Sequence, residues 1–328
     1  MESITKNRKH RADIECMMCR AFPEMRVTQI DELKEGYFNA AYDVTLSDGR
    51  QVILKIAPVS DALIMSYEKN IMFSEVKAME LVKAQSKVPV PEIYMYDSGC
   101  SVCDAPYFIM EKIPGKSLSA INQELSDKEK SDIMWLIGAY TRQINSITGT
   151  EFGYPGQPDI RGNCWFPTFK KMMQLAVADA KKKEIDLKID IDELFLRLDA
   201  DEICFHEVQI PRLVHWDLWD GNIFVEKGKV TGIIDFERAI WGDPLMEVGF
   251  RSYGQSIDFL EGYGKNEFTL NEKKRILWYD IYLFLLVALE YKYRKYETDE
   301  TYKWATEMLL NSKFTSSVQP VYGCFHKV

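Results

Sequence analysis

Polar and apolar residues alternate through YDVTL and give way to a nearly unbroken apolar run in QVILKI, on either side of Ser47-Asp48-Gly49-Arg50. A period of two is the pattern of a half-buried strand, and Asp-Gly between two such runs is a hairpin signal. Residues 32–58 therefore predict strands around a tight turn. The period then changes: Ile71, Phe73, Val76, Met79, Leu81 and Val82 cover one side of a helix across 68–84. VPVPEIYMYDSG and APYFIMEKIPG predict two proline-bounded strands, the second ending at Pro114-Gly115.

Past residue 126 helical periods dominate. SDKEKSDIMWLIGAYTRQINSI opens on Ser126 with Glu129 three residues on, the sequence of a capping box. Further helical patterns fall at about 166–182, 190–206, 271–296 and 300–312. The one strand-like interruption is NIFVEKGKVTGIIDF, two short strands around Lys227-Gly228. The fold class expected is α+β and two-lobed. Residues 1–113 form an N-terminal lobe of antiparallel sheet with one helix; residues 114–328 form a mainly helical C-terminal lobe, joined to it near 111–114. No repeat or low-complexity segment interrupts this order.

Composition narrows the partners. The 328 residues are 46% hydrophobic and 12% aromatic, ordinary values for a soluble protein. A formal charge of -9 argues against nucleic acid, which a basic stripe would have to neutralise, and suits a cationic small molecule. IYLFLLVAL, between Asp280 and Glu290, is too short to span a bilayer and reads as a core helix. The first fifteen residues lack the apolar core of a signal peptide, so the expected compartment is cytoplasmic. Nothing in the sequence specifies a protein partner. Seven cysteines, an odd number, suggest reduced thiols. Cys16/Cys19 and Cys100/Cys103 lie about 80 residues apart, far beyond the roughly 15–20 of a zinc ribbon, and read as separate thiol pairs.

Chemistry concentrates in LVHWDLWDGNIFV, residues 213–225. His215, Asp217 and Asn222 lie on a loop leading into a strand, and Asp235 ends the partner strand. A hairpin so placed brings Asn222 and Asp235 to one end, a hard-oxygen site suited to Mg2+. Asp217 is then positioned to accept a proton from an attacking hydroxyl, the arrangement phosphoryl transfer requires. Lys55, within the apolar VILKI, needs a carboxylate if buried; Glu68, Glu75 and Glu80 are available, and Glu75 in FSEVKAM is chosen. Two other motifs fail. PGKSL has Met110 where a phosphate-binding loop needs glycine, and GYGKNE ends on Glu267 where a dinucleotide fingerprint needs one.

Taken in order, EGYFNAAYDV, VILKI, FSEVKAMELV, VPVPEIY, YFIMEKIPGKSL, LVHWDLWDGNIFV, GIIDFERA and WGDPLMEVGF resemble the aminoglycoside phosphotransferase and choline kinase-like superfamily of small-molecule kinases, which share the protein-kinase fold. The resemblance runs from about residue 30 to 253. It implies Asp217 as catalytic carboxylate, with His215 as scaffold of the catalytic loop, 213–222. Asn222 and Asp235 are the implied Mg2+ ligands, the latter on the metal-binding hairpin, 223–237. Lys55 and Glu75 would align the phosphates of ATP, with GTP as the alternative. Met110, Glu111 and Ile113 would present hinge backbone to the base, and Gly36 would lie in the loop over the phosphates. Two departures stand out: Trp216 replaces the glycine or arginine between the histidine and aspartate, and the phosphate loop has only Gly36. LWDGN is similar to the LWSGN of fructosamine kinase-like members, IDFERAIWGDP to antibiotic kinases.

Asp220, Glu237, Asp243 and Glu247 make the motif region acidic, and Trp219 and Trp241 accompany them. Carboxylates and aromatic faces suit an ammonium, so Trp219, Asp220 and Glu237 are candidates for holding an amine-bearing substrate. The alternative is that the tryptophans are core and that Asp243 fastens its own loop. The leading expectation is an ATP-dependent O-phosphotransferase acting on a small, cationic alcohol, an aminoglycoside-type antibiotic or a metabolite. Its rival is a catalytically weak nucleotide-binding regulatory module of the same fold. A protein kinase fits poorly: only eight positions separate Asp235 from Asp243, leaving no activation loop.

Overall fold

A computed structural model describes residues 5–34, 36 and 38–312. Helix α1 (Arg11–Ala21) is followed by strands β1 (Val27–Leu33), β2 (Ala40–Leu46) and β3 (Gln51–Ile56), helix α2 (Ile71–Gln85), then β4 (Ile93–Asp97) and β5 (Tyr107–Glu111). The strands form one antiparallel sheet in the order β1-β2-β3-β5-β4. The unbroken apolar run of β3 has a plain cause: both sheet faces are covered. Val52, Leu54 and Ile56 pack under Ile14, Met17 and Met18 of α1, whereas Ile53, with Phe108 and Met110 of β5, belongs to the core shared with α2 and the C-terminal part. Lys55 pairs in register with Phe108 and lies on that second side. Strand β1 begins earlier than the alternating pattern suggested. VTQIDEL is an edge strand without a buried residue, so burial left no period to read.

The helical part contains β6 (Lys116–Ser117), α3 (Leu118–Ile121), α4 (Asp127–Ser146), α5 (Trp165–Lys182) and α6 (Ile191–Ala200). After these come β7 (Arg212–Val214), β8 (Ile223–Glu226), β9 (Lys229–Ile233), β10 (Ile240–Gly242), α7 (Ile257–Tyr263), α8 (Leu270–Tyr293) and α9 (Glu300–Ser312). Ser126 and Glu129 do cap α4 reciprocally, the Glu129 amide on the Ser126 hydroxyl and the Ser126 amide on the Glu129 carboxylate at 2.9 Å. The helix expected over 190–206 is shorter: Asp201 caps α6, and its carboxylate takes the Trp278 indole N–H at 3.1 Å. Helix α7 was not expected. It crosses α4 glycine on backbone; a Cβ on Gly262 would meet the Trp135 carbonyl oxygen at 1.8 Å.

Hairpin β8–β9 turns at Lys227 (φ 51°) and Gly228 (φ 73°), both in the left-handed region that a two-residue hairpin turn requires. Its register pairs Ile223 with Ile233. The Ile234 amide then bonds the Asn222 carbonyl at 3.0 Å, so the ends carrying Asn222 and Asp235 meet. β6 joins β8 on one side, and the three-residue β7 and β10 pair with each other below the loop. The segment before α2 is fastened to the helical part by polar bonds. Ser66 donates its amide and hydroxyl to Asp179 at 2.6 and 2.9 Å, and Gln157 donates to the Tyr67 carbonyl at 2.7 Å.

Ile281, Leu283, Phe284, Leu285, Leu286 and Leu289 of α8 are all buried, as a core helix requires. No described helix is long and apolar enough to cross a membrane. The six described cysteines are free thiols, and the carboxylate group named below, not a cysteine set, is the described cluster able to hold a metal.

Candidate active site

The Lys55 side chain is the centre of the cleft's N-terminal wall. Its Nζ donates to Glu75 Oε1 at 2.6 Å and to Asp235 Oδ1 at 2.8 Å, joining β3, α2 and the β8–β9 hairpin. Of the three carboxylates available to Lys55, Glu75 is the partner. Glu80 ion-pairs with Lys77 at the surface, and Glu68 is buried on Arg294 at 2.7 Å. Burial works against the charge of Lys55, but Asp235 and Glu75 outweigh it and hold the ammonium protonated far above its usual range. Glu75 is fully buried, and burial pushes it up to about 7 against the pull of Lys55. Its second oxygen, Oε2, is buried without a hydrogen-bond partner.

Glu237 completes this group. One oxygen each from Glu75, Asp235 and Glu237 lie within 4.8 Å of one another. Burial, then Asp235 and Glu75, push Glu237 well above the usual carboxylate range. Three carboxylates around a single ammonium are short of positive charge, and the orphaned Glu75 oxygen points the same way. The donor set is all oxygen, which suits a hard divalent cation such as Mg2+. Asn222 donates its Nδ2 to the Asp217 carbonyl at 2.8 Å, which turns the amide nitrogen inward and leaves the oxygen as the atom available to a cation. Asp235 adopts φ 67°, ψ 53°, left-handed backbone that aims its carboxylate back at Lys55.

The residues of the 213–222 loop are held by backbone bonds. His215 is fully buried; its Nδ1 accepts from the Asp217 amide at 3.3 Å, so its Nε2 donates to the Ile234 carbonyl at 3.0 Å. Burial lowers its proton affinity, so it stays a neutral strut between loop and hairpin. It lacks a free nitrogen for proton transfer, which removes it from the reacting groups. Glu247 accepts the His215 and Trp216 amides at 2.9 and 3.0 Å and the Asn145 side chain at 2.9 Å. Asp243 likewise takes Arg275 and Tyr279, each at 2.8 Å, and fastens its own loop. Trp216 has φ 63°, where a side chain costs about 1–2 kcal/mol and glycine costs nothing. Its ring compensates by stacking on Tyr282, centroids 5.2 Å apart and 8° from parallel. Burial raises the proton affinity of Asp217, and Arg238 opposes that shift.

The other candidate residues differ in their settings. Glu237 lies with Glu75 and Asp235 and accepts from Asn39 Nδ2 at 3.1 Å. Trp219 is 49% exposed, at the rim. Asp220 is raised by burial alone, with no charged neighbour acting on it. The Glu111 amide is consumed by the Glu92 carbonyl at 2.8 Å and cannot serve a nucleotide base, whereas the Ile113 amide bonds no described residue. Met110 is a buried wall of the cleft, and Ile113 packs on Gly232, where a Cβ would come within 2.6 Å of it. Gly36 is exposed between β1 and β2, but Glu35 and Tyr37 beside it lie outside the described residues. Sequence reasoning missed Asn39, Arg238 and Arg294 altogether; only Arg238, next to the IIDFE run, had a local signal.

The model of the phosphotransferase enzyme family matches residues 29–271. A subtelomeric hrmA-associated cluster protein of Aspergillus fumigatus is 35% identical over 125 residues, covering 38% of this chain and only 24% of that protein. The solved streptomycin–ATP complex of APH(2")-IIa superposes with a TM-score of 0.62 at 16% identity, covering 93% of this chain and 97% of that one. The GDP and kanamycin complex of APH(2")-IIia gives 0.63 at 16% identity, with 92% and 99% covered. At these identities the two structures establish the fold, which is that of the two-lobed kinase-like phosphotransferases.

Proposed function

The chain belongs to the phosphotransferase enzyme family, a family of small-molecule kinases, and from that premise we propose that it moves the terminal phosphoryl group of ATP to a hydroxyl of a small molecule. Residues 1–113 and 114–328 act as its two lobes. The observation that carries this reading is the double contact of Lys55 with Glu75 and Asp235, at 2.6 and 2.8 Å, on the cleft side of β3. A lysine so held is aimed at phosphate oxygens, and its carboxylates keep it charged while it waits for them.

Asp235, with Asn222, Glu237 and Glu75 around it, would hold Mg2+, which would supply the positive charge that offsets the phosphates' negative charge. Asp217 orients the acceptor hydroxyl and takes its proton at a carboxylate oxygen. His215 and Glu247 fix the loop so that this oxygen faces the cleft. Met110 and Ile113 floor the base pocket, with the Ile113 amide and the Glu111 carbonyl toward the base, and Gly36 and Asn39 lie in the loop above the phosphates. GTP is the competing donor, since GDP occupies one of the similar structures. An amine-bearing acceptor draws support from the aminoglycosides bound by those proteins. In this chain the Glu237 carboxylate is engaged by Asn39 at 3.1 Å, so the reading stops at a hydroxyl-bearing small molecule.

The test is nucleotide consumption by the purified protein with Mg2+, with ATP and GTP compared, against aminoglycosides, macrolides, choline, ethanolamine and glycated amines as well as neutral and acidic alcohols. Acceptor-dependent release of the diphosphate that disappears in Asp217→Asn supports the reading. Release that persists unchanged in that variant removes it.

A further inference from the structure

Polar backbone atoms just ahead of Asp217 are bonded by side chains from other segments of the chain. Glu247 accepts the His215 and Trp216 amides at 2.9 and 3.0 Å, Arg251 donates to the Trp216 carbonyl at 3.2 Å, and Asn145 Nδ2 donates to the Leu213 carbonyl at 2.8 Å. Trp216 sits among these contacts at φ 63°, a conformation that its surroundings must hold. The peptide after it sets where Asp217 points.

Asn145 ties this arrangement together. It lies in the last turn of α4 and is 2% exposed. Both of its amide hydrogens are committed, one to the Leu213 carbonyl and the other to Glu247 Oε1 at 2.9 Å. Its Oδ1 accepts the Tyr263 hydroxyl of α7 at 3.1 Å. A carbonyl and a carboxylate accept only, so the amide has one orientation; turned over, it would set oxygen against oxygen. Burial pushes the Glu247 carboxyl above its usual range, and His215, the Asn145 side chain and the Trp216 amide pull it back. Ionised, Glu247 accepts at both oxygens, which is the form that grips both loop amides.

Resting on the phosphotransfer reading above, we propose that Asn145 is a positioning residue for the transfer: through Glu247 it fixes the left-handed turn at Trp216 that aims the Asp217 carboxylate at the acceptor hydroxyl. Asn145 is too deeply buried to touch nucleotide or acceptor. Packing asks only for a residue of its size at this place; the aim of Asp217 asks for an N–H donor.

The test is Asn145→Asp, which keeps the shape of the side chain and puts a carboxyl oxygen where Nδ2 stood. Ionised, that oxygen faces Glu247 Oε1 and the Leu213 carbonyl without a hydrogen; protonated, it donates as Asn145 does. Two carboxyls so close take up a shared proton as pH falls. The other ionisable groups around them, His215, Arg212, Tyr263 and Asp243, are the same in both proteins. With whichever acceptor the wild type turns over, kcat of Asn145→Asp should lie about 10–100-fold below wild type at about pH 8.5 and within about fivefold at about pH 6, while KM for ATP moves less than about twofold. Comparing the two proteins at each pH cancels the titration of Asp217. Asn145→Leu, which cannot donate at any pH, should keep its deficit throughout. A deficit in Asn145→Asp that does not vary with pH, a recovery shared by Asn145→Leu, or a change confined to KM for ATP overturns the proposal. Melting transitions above the assay temperature at both pH values keep unfolding out of the comparison. If Asn145→Asp does not fold at the higher pH, Tyr263→Phe decides: freeing Oδ1 should lower kcat about threefold or more at constant KM for ATP, and an unchanged kcat overturns the proposal. If the wild type turns over no acceptor, the phosphotransfer reading fails by itself, and hydrogen exchange of the 213–218 amides decides the positioning role. Exchange faster in Asn145→Asp than in wild type at the higher pH, and equal at the lower, supports it; equal exchange at both overturns it.

Discussion

In one cluster a single ammonium, Lys55, faces three carboxylates, Glu75, Asp235 and Glu237; in a second, two guanidiniums, Arg238 and Arg294, share Glu290, and Arg294 also pairs with Glu68. Both clusters are buried and both tie the sheet lobe to the helical part. The first is short of positive charge and presents carboxylate oxygens, which supports the proposal of a divalent cation there. The second keeps two buried guanidinium Nε groups, of Arg238 and Arg294, without a hydrogen-bond partner among the described residues. The contrast shows that the overall acidity of the chain, -9, says little about its cleft. Local donors and acceptors decide what each cluster can bind.

The largest effect expected is at Asp217. Asp217→Asn keeps the shape of the loop and removes the proton acceptor, so acceptor-dependent turnover should fall about 10²–10⁴-fold while nucleotide affinity changes little, measured by coupled assay and calorimetry. A fall in nucleotide affinity of similar size would place this residue with the carboxylate cluster instead.

Next comes the Lys55 cluster. Lys55→Met leaves Glu75 and Asp235 facing each other without a cation and should cost about 3–5 kcal/mol in denaturant unfolding, without added nucleotide or metal. Replacing Glu75 by Met in the same chain should recover part of that loss, because the uncompensated buried charge goes with it. Equal losses in the single and double variants would mean that the pair contributes packing only.

A smaller effect comes from Asp280, a carboxylate buried on α8 with no salt bridge among the described residues. Burial, partly offset by the Ser252 amide at 2.9 Å, pushes it up to about 6. Since this folded-state value lies above the unfolded one, its contribution to stability is fully present below about pH 4 and lost as pH rises through 6. Asp280→Asn lacks that loss. Between pH 4 and pH 7.5 the variant should gain roughly 2–3 kcal/mol on the wild type, read from melting curves at both pH values. A difference that does not vary with pH would show that Asp280 is ionised throughout.

Much of this architecture is legible in the chain because burial imposes a period on it. The β2–β3 hairpin, α2, α4 and α8 each bury a face or a whole circumference and can be read from apolar spacing. Strand β1 is an exposed edge, and β7 and β10 are three residues each, too short to carry any period. Asp217, Asn222 and Asp235 could be picked out as one candidate group since they share one loop and hairpin, and the metal role proposed for the latter two rests on that reading. Pairing Lys55 with Glu75 needed only the adjacent helix. The arginine cluster was not readable: Glu68 and Arg294 are 226 residues apart and meet only when the segment before α2 docks on the end of α8. Glu68 even stood as a candidate partner for Lys55. The replacement of glycine by Trp216 was visible as a departure, but neither its left-handed backbone nor its stack on Tyr282 was.

The central claim is that the carboxylate cluster under Lys55 binds a divalent ion together with the nucleotide. Calorimetric titration of ATP into the wild type and Asp235→Asn, each with Mg2+ and with chelator, tests it most directly. The account predicts that Mg2+ tightens ATP binding about tenfold or more in the wild type and has little effect in the variant. Equal tightening in both proteins, or none in the wild type, would contradict it.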